Sequence, residues 1–200
     1  MLAVDGMYRG IIGVADAIKP SSAKAVRTLK AHGIDVWLVT GDNAHTAESV
    51  AKQVGIEHVK SGCLPSDKND CIAELQKQGH LVAMVGDGIN DAAALALSDV
   101  GIAIGTGTDV AAASADIVLA KGELTGISDA LLLSRTTLRI IKENLFWAFA
   151  YNCLGIPVAA GLLYAFGGPL VNPMLAALAM SLSSVTVLTN ALRLKRAKLK

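Results

Sequence analysis

The chain has 200 residues, 18 Lys plus Arg against 17 Asp plus Glu, a formal net charge of +1, a hydrophobic share of 52% and a mean hydropathy of +0.49. Near-neutral charge excludes a strongly basic nucleic-acid binder or an acidic tail, and the apolar share excludes disorder. Only 18% of the residues are charged, few for a soluble domain, so the charges must be crowded into one part of the chain.

At the start, Met1-Leu2-Ala3-Val4 is too short an apolar run for a cleavable signal peptide and is followed at once by Asp5-Gly6. From Ala23 to His32 apolar residues recur at helical spacing, with Gly33 as the stop. Asp35 to Thr40 reads as a buried strand, Ala44 to Val54 as a helix stopped by Gly55, and Ser66 to Gln78 as a helix capped by Ser66 or Asp67. Leu81 to Val85 is a second strand, Asn90 to Leu97 a helix, and Val100 to Ile104 and Ile117 to Ala120 two more strands around a short helix near Asp109 to Ser114. Alternation of this kind predicts an α/β domain whose parallel sheet carries helices on both faces.

From Asn144 to Leu192 there is no Asp, Glu, Lys or Arg. A bilayer core of about 30 Å needs about 20 apolar residues per helix, and two spans fit: Trp147 to Phe166 and Pro173 to Leu192, joined by an uncharged turn from Gly167 to Asn172. The alternative, a buried hairpin in a soluble core, asks a chain of this size to cover two uncharged helices on all sides. Arg135, Arg139 and Lys142 precede the first span, and Arg193, Lys195, Arg196, Lys198 and Lys200 follow the second. Both ends are therefore expected in the cytoplasm, with the terminal basic run facing the lipid bilayer rather than nucleic acid.

The three cysteines, Cys63, Cys71 and Cys153, form no CxxC pair, and the four histidines are scattered, so neither a disulfide framework nor a zinc site is expected. Chemistry is instead expected at the carboxyl ends of the strands. Thr40-Gly41-Asp42-Asn43 offers a hydroxyl and a helix N-terminus to a phosphate. Asp87 and Asp91 put two carboxylates on one glycine-flanked turn, which suits Mg²⁺, and Lys68 in Pro65-Ser66-Asp67-Lys68 supplies a positive charge. Each has a bland alternative, in turn a loop, a cap and a solvated lysine; their order along one parallel sheet favours the phosphate reading.

That order, TGDN (Thr40 to Asn43), P-x-D-K (Pro65 to Lys68), GDGxND (Gly86 to Asp91) and GIAIGTGTDVA (Gly101 to Ala111), resembles the phosphorylation domain of P-type ATPases, whose fold is of the haloacid-dehalogenase type. Ile18-Lys19-Pro20 after Asp16 resembles the family's lead-in to this domain. The resemblance implies a division into residues 1–14, the end of a nucleotide-binding domain and hinge; 15–127, the phosphorylation domain; 128–145, a cytoplasmic linker helix; 146–192, two transmembrane helices; and 193–200, a basic cytoplasmic tail. Thr40, Gly41 and Asp42 would orient the phosphoryl group and Lys68 would neutralise it. Asn90 would hydrogen-bond near it, and Asp87 and Asp91 would hold Mg²⁺. Ala93 stands where the family usually has proline.

The family's phosphorylated aspartate, in DKTGT, is not in this sequence, so the fold is expected to lack its first strand and its nucleophile, and the isolated chain is expected to be inactive toward ATP. Within the spans, Tyr151-Asn152 and Met180-x-x-Ser183-Ser184 resemble the last two membrane helices of copper(I)-exporting ATPases. Tyr151, Asn152, Met180 and Ser184 would then hold the transported Cu(I), for which a thioether is a suitable soft ligand. Small-residue helix packing is the plainer alternative for these positions. The implied whole is a multi-pass cell-membrane pump using ATP and Mg²⁺, with the α/β domain and tail in the cytoplasm. Its partners would be a heavy-metal ion, the missing N-terminal part of the pump and a cytosolic copper chaperone. A stand-alone Mg²⁺-dependent phosphatase and a noncatalytic membrane subunit are the competing readings.

Overall fold

The computed structural model describes residues 2–10, 17–87, 89–105, 113–168 and 172–196. It divides into two compact units, Met1–Ser128 and Asp129–Lys200.

The first unit opens with an antiparallel hairpin, β1 (Leu2–Val4) and β2 (Met7–Gly10). Asp5 and Gly6 turn it with φ of 52° and 73°, the left-handed pair that a two-residue hairpin requires. Helix α1 (Pro20–Ala31) starts ahead of the expected Ala23, because Pro20 sits in its first turn, where a fixed φ helps and a missing N–H costs nothing. Next come β3 (Trp37–Val39) and α2 (Ala44–Val54), the latter capped by Asn43, whose Oδ1 accepts the Thr46 N–H at 2.9 Å. Strand β4 (His58–Lys60) was not expected: three residues are too few to show a period of two. It pairs parallel with β3, and Trp37 stacks on the opposite His58 with ring centroids 4.7 Å apart.

Helix α3 (Pro65–Lys77) corrects the expected cap. Leu64 holds the cap position, and Asp67 Oδ2 reaches back to accept the Leu64 N–H at 2.8 Å. Strand β5 (Ala83–Gly86) starts beyond the expected Leu81, which is 91% exposed. A 3₁₀ turn at Ile89–Asp91 leads into α4 (Ala92–Leu97), followed by β6 (Val100–Ile104) and β7 (Ile117–Leu119). Most of the helix expected near Asp109 to Ser114 lies outside the described residues.

The expected single parallel sheet is two among the described residues, β3–β4 and β5–β6–β7, both parallel. Among the described residues β3 pairs only with β4 and β5 only with β6, so no ladder joins the two sheets there. The core is built from alanines, larger aliphatic residues and one cysteine: Ala25 and Val26 of α1, Ala47 and Ala51 of α2, Cys71 and Ile72 of α3, Ala94 and Leu95 of α4, and Ile102 and Ala103 of β6. Gly101 lets β6 pass α4, since a Cβ there would lie 2.7 Å from the Leu95 carbonyl oxygen.

Helix α5 (Thr125–Ala159) carries the chain into the second unit, which also holds α6 (Leu162–Ala165), α7 (Pro173–Leu192) and a 3₁₀ turn at Arg193–Arg196. The helix expected to run to Phe166 ends at Ala159. Pro157 removes one backbone donor, and Gly161 takes a left-handed φ of +96° just past the helix end. Among the described residues no helix is long and apolar enough to cross a membrane. The uncharged part of α5, from Asn144 to Ala159, falls short of about 20 residues. Of α7, the side chains of residues 173 and 175–180 lie outside the description.

Candidate functional site

The expected phosphate-handling residues stand in the loops after β3 and β5, at the carboxyl ends of parallel strands, and near the start of α3. After β3, the Thr40 hydroxyl donates to Asp42 Oδ2 at 3.0 Å and accepts the Asp42 N–H at 3.1 Å, closing a tight turn ahead of the α2 N-terminus. The loop after β4 fastens it: Cys63 N–H donates to the Thr40 carbonyl at 3.0 Å and Gly62 N–H to that of Asp42 at 2.7 Å. Gly41 suits this crossing, since a Cβ there would stand a tight 3.3 Å from the Cys63 carbonyl oxygen. The sequence reading found Thr40, Gly41 and Asp42 but missed their dependence on residues 62 and 63.

The second cluster joins α3 to the turn after β5. Lys68 Nζ meets Asp91 Oδ1 at 2.7 Å, with side chains 18% and 12% exposed. Asp91 lies over Gly86, where a Cβ would come within 2.7 Å of Asp91 Cβ and Oδ2. Gly86 therefore makes room for the carboxylate, a role legible only as the first letter of GDGxND. Asp87 and Asn90 are exposed beside this turn, and Gly88 lies outside the described residues. The structure thus brings Lys68 to Asp91 and Thr40 to Asp42, in two separate clusters.

The donor set fits Mg²⁺: Asp87 is an exposed carboxylate at a strand end, and Asp91 presents a second one in a cradle that only glycine permits. Among the described residues no group of three or more His, Cys, Asp or Glu side chains is gathered, so further ligands would have to come from water or phosphate oxygens.

The four residues expected at the transported ion stand on two helices of the second unit. Tyr151 is 40% exposed on α5 with its ring 6.4 Å from that of Trp147. Asn152 Nδ2 donates to the Ala148 carbonyl at 2.9 Å, within the same helix. Met180, whose side chain is outside the description, and Ser184 lie one turn apart on α7. The sequence reading overlooked a polar cluster elsewhere on these helices. Asn190 Nδ2 donates to Asn144 Oδ1 at 2.9 Å and to Glu143 Oε2 at 3.2 Å, and Arg193 Nη1 donates to the same Glu143 oxygen at 3.2 Å and to Asn190 Oδ1 at 2.7 Å. Its signal was present: Glu143 and Arg193 are the two charges that bracket the uncharged stretch.

Comparison with known proteins bears on the fold and the family. The family model of haloacid dehalogenase-like hydrolases matches residues 2–99. The probable copper-transporting ATPase PacS of Synechocystis sp. is 57% identical over 98% of this chain. The silver exporting P-type ATPase of Salmonella typhimurium is 52% identical over 99% of it. The chain spans about a quarter of these relatives, 26% and 24%. The crystal structure of a zinc-transporting PIB-type ATPase in its E2.Pi state superposes with a TM-score of 0.78 at 36% identity, covering 90% of this chain and 28% of that one. The α/β unit has the haloacid-dehalogenase-like fold. Over nearly its whole length the chain is similar to a C-terminal portion of heavy-metal P-type ATPases, copper-transporting ones among them.

Proposed function

We propose that this chain is the C-terminal part of an ATP-driven pump that exports Cu(I) and couples transport to formation and hydrolysis of an aspartyl-phosphate. The observation that carries the reading is the Lys68–Asp91 pair over Gly86, at the carboxyl end of a parallel strand, in a sequence 57% identical to a copper-transporting ATPase.

In this reading the Thr40 hydroxyl and the backbone of Gly41 and Asp42 receive phosphoryl oxygens, and Lys68 offsets their charge from the opposite side. Lys68 is already held at 2.7 Å from Asp91, so it is positioned before phosphate arrives and little reorganisation is needed. Asp87 and Asp91 would hold Mg²⁺, which supplies charge neutralisation on the transferring group. Asn90 supplies an amide beside them. The nucleophile would come from a DKTGT segment outside these 200 residues, on the strand that fills the one-sided edges of β3 and β5. The isolated chain would accordingly leave ATP unhydrolysed.

The second unit would be a membrane hairpin with both ends in the cytoplasm. Three features support this: the charge-free stretch from Asn144 to Leu192, its basic flanks, and the ion pair of Glu143 with Arg193, which holds the two ends of that stretch together. Tyr151, Asn152, Met180 and Ser184 would line the Cu(I) path. The uncharged, thioether-bearing set suits a soft monovalent ion, whereas a pump for Zn²⁺ would be expected to keep a charged group there. The test is Met180→Ala in the intact pump. Cu(I)-stimulated ATPase activity should fall sharply, and unchanged activity with unchanged Cu(I) affinity would overturn the copper site.

A further inference from the structure

The part of α5 that leads into the uncharged stretch carries three cations on one stripe. Arg135, Arg139 and Lys142 are four and three residues apart, so at 3.6 residues per turn they fall within about 60° of one another. All three are exposed, and among the described residues none of them takes part in an ion pair. The acid best placed to neutralise them is engaged elsewhere. Glu143 stands four residues on from Arg139, the spacing at which opposite charges meet on a helix, yet its Oε2 accepts from Asn190 and from Arg193, each at 3.2 Å. Asp129, the other acid of α5, lies about 120° round the helix from Arg135. The next two steps of the stripe are Phe146 and Phe149, 65% and 61% exposed, and Trp147 meets Phe146 edge-on with ring centroids 5.5 Å apart. One helical face thus changes from cation to aromatic between Lys142 and Phe146, within about one turn.

We propose that Arg139 and Lys142 bind the phosphate of an anionic phospholipid headgroup, with Arg135 adding attraction at a distance. A nucleic acid or an acidic protein seated on the cations would leave Phe146, Trp147 and Phe149 against water. A lipid meets both halves of the stripe, phosphate on the cations and hydrocarbon on the aromatic rings. Depth decides which cations touch it. At about 1.5 Å per residue Lys142 lies about 6 Å before Phe146, Arg139 about 10 Å and Arg135 about 16 Å. The headgroup layer is about 5–8 Å deep on each side of a bilayer. With Phe146 at the hydrocarbon edge, Lys142 lies inside that layer, and Arg139 stands about 2 Å beyond it, within the reach of a long side chain. Arg135 stays about 8 Å clear, one screening length at physiological salt, and acts only through its field. Arg139 brings geometry as well as charge, because a planar guanidinium gives a phosphate two parallel hydrogen bonds. The site rests on the reading of the second unit as a membrane hairpin, and gives that hairpin a preference among lipids.

The test uses the full 200-residue chain with Trp37→Phe, which leaves Trp147 as its single tryptophan, reconstituted in phosphatidylcholine bilayers. Part of the lipid is replaced by brominated phosphatidylglycerol or by brominated phosphatidylcholine, and quenching of Trp147 fluorescence gives the relative occupancy of the two beside α5. The anionic lipid should be preferred more than about tenfold, and Lys142→Gln or Arg139→Gln should each lower the preference about fivefold, the factor that one cation at a membrane surface commands. Arg135→Gln should lower it less than about twofold, and that remainder should vanish as salt is raised. Equal quenching by the two lipids, or a preference unchanged in Arg139→Gln with Lys142→Gln, would leave the stripe to a soluble partner and overturn the proposal while the hairpin stands. Absence of quenching by either lipid would overturn both. Should the double variant fail to reconstitute, the single variants decide, and Arg139→Lys with Lys142→Arg, which keeps the charge, should keep the preference; its loss there would overturn the site. Inorganic phosphate added at constant ionic strength should leave the quenching unchanged, and displacement of the brominated lipid would assign the cations to a free anion instead.

Discussion

The two units use apolar residues in opposite ways. In Met1–Ser128 they are spent on a core in which Leu95 is 1% exposed and Ile72 4%. In Asp129–Lys200 Ile140 is the one described hydrophobic residue counted as buried, while Leu154, Ile156, Phe166, Leu182 and Leu188 stand more than half exposed. Acids divide the same way: of the 17, only Asp129 and Glu143 fall in the second unit. A near-neutral, moderately greasy average therefore hides one unit that meets its solvent with charge and another whose helices present hydrocarbon. Surfaces of the second kind are stable only against something apolar.

The sharpest way to break this contrast is to make the same truncation in both units. Leu95→Ala should cost about 3–5 kcal/mol, because α4 is held between α3 and the paired strands β5 and β6 and cannot collapse onto the space left behind. Leu188→Ala, at a site 61% exposed, should change stability by less than about 0.5 kcal/mol. Urea unfolding of the chain in detergent, followed by far-ultraviolet circular dichroism, measures both. Equal costs would mean that the second unit has a packed interior of its own.

A second comparison concerns ion pairs. Lys68 and Asp91 are mostly covered, whereas Arg193 and Glu143 are 65% and 36% exposed at their side chains. Lys68→Ala should cost about 1–3 kcal/mol, since it strands a desolvated carboxylate. Arg193→Ala should cost at most about 1 kcal/mol, because exposed pairs are screened. A double-mutant cycle with Asp91→Asn apportions the first value. If Lys68→Ala costs no more than Arg193→Ala, the site is wetter than its burial suggests.

What the sequence could disclose follows from how each feature is encoded. Helix α2 was legible because its cap, its period and its stop are all local: Asn43, the Ala47–Ala51–Val54 stripe, and Gly55. The turns after β3 and β5 were legible because strand ends and polar turns adjoin in the chain. Strand β4 was not, being three residues whose strand character comes from pairing with β3. The dependence of Thr40 on the Cys63 N–H, and of Asp91 on the empty space at Gly86, arises from chain crossings that leave only a glycine or nothing as a trace. The polar cluster of Glu143, Asn144, Asn190 and Arg193 left only its two outer charges as a trace, because its members are 47 to 50 residues apart where they meet Glu143.

The smallest expected effect tests the contrast through pH. Asp99 Oδ2 accepts the Val82 N–H at 2.8 Å and the Gln76 amide at 3.2 Å, tying the approach to β5 to α3. The Val82 N–H, followed by the Gln76 amide, holds the Asp99 carboxyl below its ordinary value of 3.8, against a smaller opposing effect of burial. A carboxylate whose folded pKa lies below its unfolded one contributes stability that is fully present above the unfolded value and is lost as pH falls through the folded one. Wild-type melting temperature should therefore drop as the medium is acidified below about pH 4. In Asp99→Asn the amide oxygen still accepts the Val82 N–H but carries no charge to lose, so the gap between the two proteins should narrow across that window. Because the second unit carries only two of the 17 acids and none between Asn144 and Leu192, it should retain its helical signal through the same acidification while the first unit loosens. A gap that stays constant from neutral pH to pH 3 would remove Asp99 from the acid response, and helices of the two units melting together would remove the division between them.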